Sequence, residues 1–149
     1  MKYQIVEIEK MIVMGISTMT TNENCKSKED IGLLWKKFIE SGLAHRIENK
    51  KTGEAIGLYT DYESDATKPY RFMCCMEVTE LLSNGLESQV IRAGKFAKFT
   101  VKGDVVNAVA EAWQNIWDMN LERTYISDFE VYHSEDMENQ EIDIYIGIK

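Results

Sequence analysis

The stretch that decides the fold lies at residues 93–132: AGKFAKFTVKGD at 93–104, VVNAVAEAWQNIWDMN at 105–120 and LERTYISDFEVY at 121–132. Its first part reads as two strands, 89–93 and 95–102, on either side of Gly94. Its middle part puts Val105, Ala108, Val109, Ala112 and Ile116 on one helical stripe, with Asp104 as the N-cap and Asn120 near the end. The last part predicts a strand at 127–133, where alternation sets Asp128, Glu130 and Tyr132 on one face and Phe129 and Val131 on the other. A strand carboxylate beside an aromatic, faced by tryptophan, suits an amphipathic cation. An ordinary solvated sheet face would carry the same pattern.

Upstream the same order occurs once before. Weak alternation at 3–9 and an apolar run at 11–19 predict two antiparallel strands joined near Glu9-Lys10, followed by a polar loop at 20–26. Ser27-Lys28-Glu29-Asp30 has the form of a capping box, and Ile31, Leu34, Trp35, Phe38 and Ile39 recur at helical spacing before Gly42, a left-handed C-cap residue. A charged turn is expected at 48–54, then strands at 55–61 and 71–79 separated by the acidic loop 62–68 and the only proline, Pro69. A linker at 80–88 leads into the second round, which closes with a polar turn at 135–140 and a strand at 141–148.

The pattern is strand–strand–helix–strand–strand, written twice: an α+β fold of one domain, 1–149, with halves at about 1–80 and 88–149. Each amphipathic helix can cover one face of its small sheet, so the other face must be buried elsewhere. Antiparallel strands from the two halves are therefore expected to form a central ligand groove, with the helices on the opposite side. In this register Gly57-Leu58-Tyr59 corresponds to Glu130-Val131-Tyr132, the two helices correspond, and Tyr59 and Tyr132 become equivalent.

Composition narrows the function. With 17 basic and 25 acidic residues and a net charge of −8, the chain lacks the field that direct nucleic-acid binding needs, and no basic cluster stands out. No apolar run reaches the roughly 20 residues needed to cross a bilayer. The glutamates of MKYQIVEIEK interrupt any signal-peptide core, so a cytoplasmic location is expected. Cys74 and Cys75 are strand neighbours that point to opposite faces, which leaves Cys25 over and excludes a disulfide framework. There is no C-x-x-C, and His45 and His133 are far apart, so no metal or cofactor is expected.

The candidate binding residues follow from type and place. Glu130 supplies the charge: a carboxylate in an apolar cleft is costly until a cation neutralises it. Tyr59, Trp113, Trp117, Tyr132 and Tyr145 supply ring faces; Trp113 and Trp117 are one helical turn apart. Tyr145 alternates with Ile142, Ile144, Ile146 and Ile148, so it faces away from that stripe. Glu77 and Asp61 could add charge, or be plain surface acids. No catalytic residues are assigned. A phosphate loop, a G-x-S-x-G elbow and a recognisable Cys/His pair are all missing, which leaves Glu130 with Tyr59 or Tyr132 as the one acid–base pair available for hydrolysis.

The chain resembles the GyrI-like effector-binding domains, which also serve as ligand-sensing modules of some AraC-type and MerR-type regulators. It is most similar to the free-standing versions, including those of integron cassettes. The carriers are residues 11–18, Gly57-Leu58-Tyr59-Thr60-Asp61-Tyr62, Met76-Glu77-Val78, Ala93-Gly94-Lys95-Phe96-Ala97 and residues 99–103. They continue through Ala112-Trp113 with Ile116-Trp117, then residues 128–132 and 142–149. The resemblance implies a duplicated fold that binds small, often cationic and hydrophobic compounds, with Glu130 at the position of a buried glutamate on the penultimate strand. It implies three possible roles: a small-molecule sensor or drug-binding protein acting through a partner protein in transcription or resistance, a hydrolase using Glu130 with a tyrosine, or a gyrase-inhibitor-like modulator. Cys75, Arg92 and Gly147 depart from the family pattern, where glycine, proline and proline are usual.

Overall fold

Apolar alternation becomes eight strands in the computed structural model, which describes residues 2–65, 67–82, 85–134, 136 and 138–149. Parts of three expected loops, at 66, 83–84, 135 and 137, lie outside the described residues. In chain order the elements are β1 (Gln4–Ile8), β2 (Met11–Thr20), α1 (Lys26–Glu40), α2 (Leu43–Arg46), β3 (Lys50–Thr60) and β4 (Tyr70–Val78). The second round is β5 (Glu87–Ile91), β6 (Gly94–Gly103), α3 (Val105–Trp117), β7 (Arg123–Tyr132) and β8 (Gln140–Ile148). All eight strands form one antiparallel sheet in the order β1-β6-β8-β7-β3-β4-β2-β5. Exchanging the two rounds leaves that order unchanged, so the duplicated α+β architecture is present, with its axis between β7 and β3.

Several local expectations change. The strands on either side of Glu9-Lys10 do not pair: β1 lies against β6, and β2 lies between β4 and β5. Likewise β5 and β6, on either side of Arg92-Ala93, are not neighbours. The first strand of each half has crossed to the edge of the other half. Helix α1 starts at Lys26, which places Ser27 inside it rather than at the cap, and Asp30 accepts from Thr20 Oγ1 at 2.8 Å instead. The helix stops where Gly42 adopts φ 68°, the left-handed conformation expected of it. Asp104 caps α3 as read, accepting from the Asn107 amide at 3.1 Å. The charged segment after residue 48 is strand from Lys50 onward, with a pairing irregularity between Lys50 and Ala55. Of the apolar stripe of α1, Leu34 and Phe38 are buried but Ile39 is exposed.

Those two-residue links dictate the shape. Each joins a strand at one edge of the sheet to the strand next to the opposite edge, and two residues span only about 10 Å. The sheet must therefore curl until its ends approach. One apolar cluster contains side chains from every strand, among them Ile8, Val13, Leu58, Met73, Ile91, Phe96, Phe129 and Tyr145. This is the inside of the curl. The side away from the helices is thus a packed core and not the open groove expected. Two further clusters lie on the helix side, one under α1 around Phe38 and Phe72, the other under α3 around Phe99 and Ile144. Cys74 and Cys75 are both fully buried, on opposite faces as read, and burial pushes both thiols well above their ordinary range.

Candidate functional site

Glu130 lies near the C-terminal end of β7, directly opposite Gly57 of β3, at the junction of the two halves. The glycine makes the room: a Cβ there would stand 3.0 Å from Glu130 Oε1 and 3.1 Å from the Phe72 ring. The carboxylate faces the helices and is 1% exposed. Three neutral donors hold it. Trp113 Nε1, from α3, donates to Oε2 at 2.6 Å; the Tyr59 hydroxyl, from β3, donates to Oε2 at 3.1 Å; the Tyr132 hydroxyl donates to Oε1 at 2.8 Å.

No cation of the protein bonds to Glu130 among the described residues. Burial pushes its pKa up and the three hydrogen bonds pull it down, and burial wins. Burial, and then the charge of Glu130, push the Tyr59 and Tyr132 phenols well above their ordinary value, so both remain donors. The group is therefore an uncompensated buried acid in a ring of aromatics. Its ionised form gains from any positive charge brought to it.

The rings cross between halves. Trp113 of α3 packs on Tyr59 at 5.1 Å between centroids, and Trp35 of α1 packs on Tyr132 at 5.3 Å. Phe72 adds an edge contact to both Tyr59 and Trp35, at 4.9 and 6.0 Å.

Next along the same face is Asp128, fully buried. It accepts from Arg123 Nη2 at 2.7 Å, from the Tyr62 hydroxyl at 2.5 Å and from the Gly147 amide at 2.8 Å. The register of β7 on β8 shifts between Arg123 and Asp128, and Tyr125 within that shift has φ 54°. The irregularity lets Arg123 fold back onto Asp128, its own strand neighbour. Its guanidinium lies 4.5 Å from the Tyr125 ring centre and 5.8 Å from that of Trp113. A cavity of about 300 Å³ opens beside Tyr62 and Tyr125.

Of the residues singled out from sequence, the structure brings Glu130, Tyr59, Trp113 and Tyr132 together. Trp117 is 6.3 Å from Trp113 between ring centroids and 46% exposed, at the rim. Tyr145 is on the other face, stacked on Phe129 at 4.5 Å inside the curl. Glu77 also points away and pairs with Lys51 at 3.4 Å; Asp61 pairs with Arg71 at 2.8 Å. The sequence reading missed Trp35, Arg123 and Tyr62 as neighbours of this cluster. Trp35 was within reach, because the repeat register sets α1 against α3. The roles of Arg123 and Tyr62 depend on the register shift and on a loop, which strand alternation does not encode.

Among the described residues no group of three or more His, Cys, Asp or Glu side chains is arranged to hold a metal ion, and no helix is long and apolar enough to cross a membrane.

Comparison with known proteins identifies the fold and the family. A curated relative, YobU of Bacillus subtilis (strain 168), named for transcriptional regulation, is 28% identical over 144 residues, covering 91% of this chain and 90% of its own. The integron cassette protein VCH_CASS2, from the mobile metagenome of Vibrio cholerae, is 28% identical with a TM-score of 0.76, over 99% of this chain and 95% of that one. SAV2435, whose structure was solved bound to tetraphenylphosphonium, shares the fold at a TM-score of 0.85 and 16% identity, over 100% of this chain and 94% of that one. The family described as integron-associated effector binding protein matches residues 4–148. The chain belongs to that family, one of the GyrI-like effector-binding proteins.

Proposed function

We propose that the protein binds a small cationic, aromatic or amphipathic compound at Glu130 and passes the signal to a partner protein in transcriptional regulation or resistance. One observation carries this reading: a buried carboxylate held by the neutral donors of Tyr59, Trp113 and Tyr132, with Trp35 packed on Tyr132 and no bonded cation among the described residues. An ionised group so placed is stabilised by a positive ligand, while ring faces supply the area and cation–π attraction. Support comes from the effector-binding family, from the lipophilic cation bound to SAV2435 and from the regulatory name of YobU. Because Glu130 is 1% exposed, a ligand reaches it only by displacing some of those rings. The opening cost is lowest for flat or greasy cations that replace the lost aromatic contacts.

The test is calorimetry with a lipophilic cation and its neutral isostere on the protein and on Glu130→Gln. The substitution is expected to weaken the cation by about 1–3 kcal/mol, the loss of one charged interaction, and the neutral compound far less. Equal losses would show that Glu130 acts through shape alone. Ligand recovered after long incubation with stoichiometric protein is expected to be chemically unchanged. Turnover that vanishes in a folded Glu130→Gln would replace binding by hydrolysis.

A further inference from the structure

We propose that Arg123 is a built-in cation filling a second aromatic–carboxylate cage beside Glu130, and that it limits ligands of that site to a single positive charge. The inference rests on the reading of Glu130 as a cation site and adds a rule about ligand charge.

Asp128 and Glu130 stand two residues apart on one face of β7, so their carboxylates leave the strand about 7 Å from each other. Both are buried, at 0 and 1% exposure, and both are edged by rings. Trp113 links the two sites: its Nε1 donates to Glu130, and its ring lies 5.8 Å from the Arg123 guanidinium that is bound to Asp128. The cages differ in what fills them. Asp128 has a guanidinium at 2.7 Å, backed by the Tyr125 ring; Glu130 has phenols and an indole.

A compact dication that seats one charge on Glu130 carries its second charge into the region of Arg123. Asp128 offsets part of that charge, but it is the guanidinium that lies beside Trp113, the ring that also bonds Glu130, so the second charge meets a like charge first in a poorly screened interior. Arg123 cannot easily yield the place, since its side chain is 7% exposed and removal would leave Asp128 buried without its cation. A monocation meets no such conflict. Nor does a dication with a long spacer, whose second charge remains in water.

Isothermal titration with matched probes tests the rule. N-methyl-4-phenylpyridinium and methyl viologen share a two-ring scaffold and differ by one charge. The protein is expected to bind the monocation at least about tenfold more tightly. Decamethonium, with its charges far apart, should bind within about threefold of decyltrimethylammonium, because an exposed charge is screened. In Arg123→Met the methyl viologen affinity should rise about tenfold, well beyond any gain for the monocation.

Equal binding of the two-ring probes by the unaltered protein overturns the charge rule and leaves the cation site standing; binding of neither overturns both. A folded Arg123→Met with no selective gain for the dication also overturns the rule. Should that variant fail to fold, the four probes on the unaltered protein decide alone.

Discussion

On β3 the positions that face the helices are Ala55, Gly57 and Tyr59; on β7 their equivalents in the repeat are Asp128, Glu130 and Tyr132. The aromatic frame is the same in both halves, each tryptophan packing on the tyrosine of the other half. The charge is not repeated. Gly57 and Glu130 are equivalent in the repeat and are also direct cross-strand partners. Near a two-fold axis a position meets its own equivalent, so glutamate in both halves would set two buried carboxylates face to face. One of them would have to stay protonated. Duplication can copy rings onto such an axis but not charge, and the half that gave up its side chain made room for the other.

The strongest way to break this contrast is to remove each indole nitrogen in turn. Trp113→Phe deletes a hydrogen-bond donor to the buried Glu130 carboxyl and should cost about 1–3 kcal/mol. Trp35→Phe keeps a ring on Tyr132 and should cost about 1 kcal/mol or less. Urea denaturation of both variants gives the comparison; equal losses would mean the carboxylate adds nothing to the frame.

Gly57→Ala tests the space. Its Cβ would press on the Glu130 carboxylate, held by three bonds, and on Phe72, which is fully buried. A loss of about 1 kcal/mol is expected, with overpacking outweighing the entropy gained from alanine. An unchanged midpoint would show slack at the axis.

The smallest effects are those of pH. Glu130 has a folded pKa above 4.5, so its contribution to stability is whole below 4.5 and is lost as pH rises through the folded value. Glu130→Gln should flatten that part of a stability–pH curve. At the end of the same ladder His133 bonds Glu54 through Nδ1 and Asp143 through Nε2, the latter at 2.7 Å. Burial lowers its pKa, but its bonds to Asp143 and Glu54 and their charges raise it above 6.5 overall. Its contribution is whole below 6.5 and fades as pH rises through the folded value. His133→Gln should remove only this upper slope; a slope that persists would belong to other groups.

Much of this was readable in the chain. Periodicity located the strands and both long helices, and Asp104 and Gly42 marked helix ends because each satisfies a local backbone need. The repeat register found Tyr59 and Tyr132, and alternation put Glu130 beside them. What alternation cannot supply is which strand lies next to which. Gln4–Ile8 and Met11–Thr20 look like a hairpin because they are adjacent in sequence, yet their partners are in the other half. The misplaced groove has the same origin, for only the crossing of first strands closes the sheet over the Phe129 face and buries Tyr145 there. Arg123 was hidden by the shift in register that bends it back to Asp128.

The exchanged first strands bear on how the chain reaches this state. Gln4 is paired with Lys98 and Met11 with Ile91, so neither half can complete its own sheet while the other is still unfolded. Such distant pairings must meet the entropy of closing long loops before any contact rewards them, and proteins dominated by them fold slowly. During synthesis the first half waits with β2 open along the edge that β5 will cover. That row of unpaired amides and carbonyls is the chain's most exposed moment for association with a second copy.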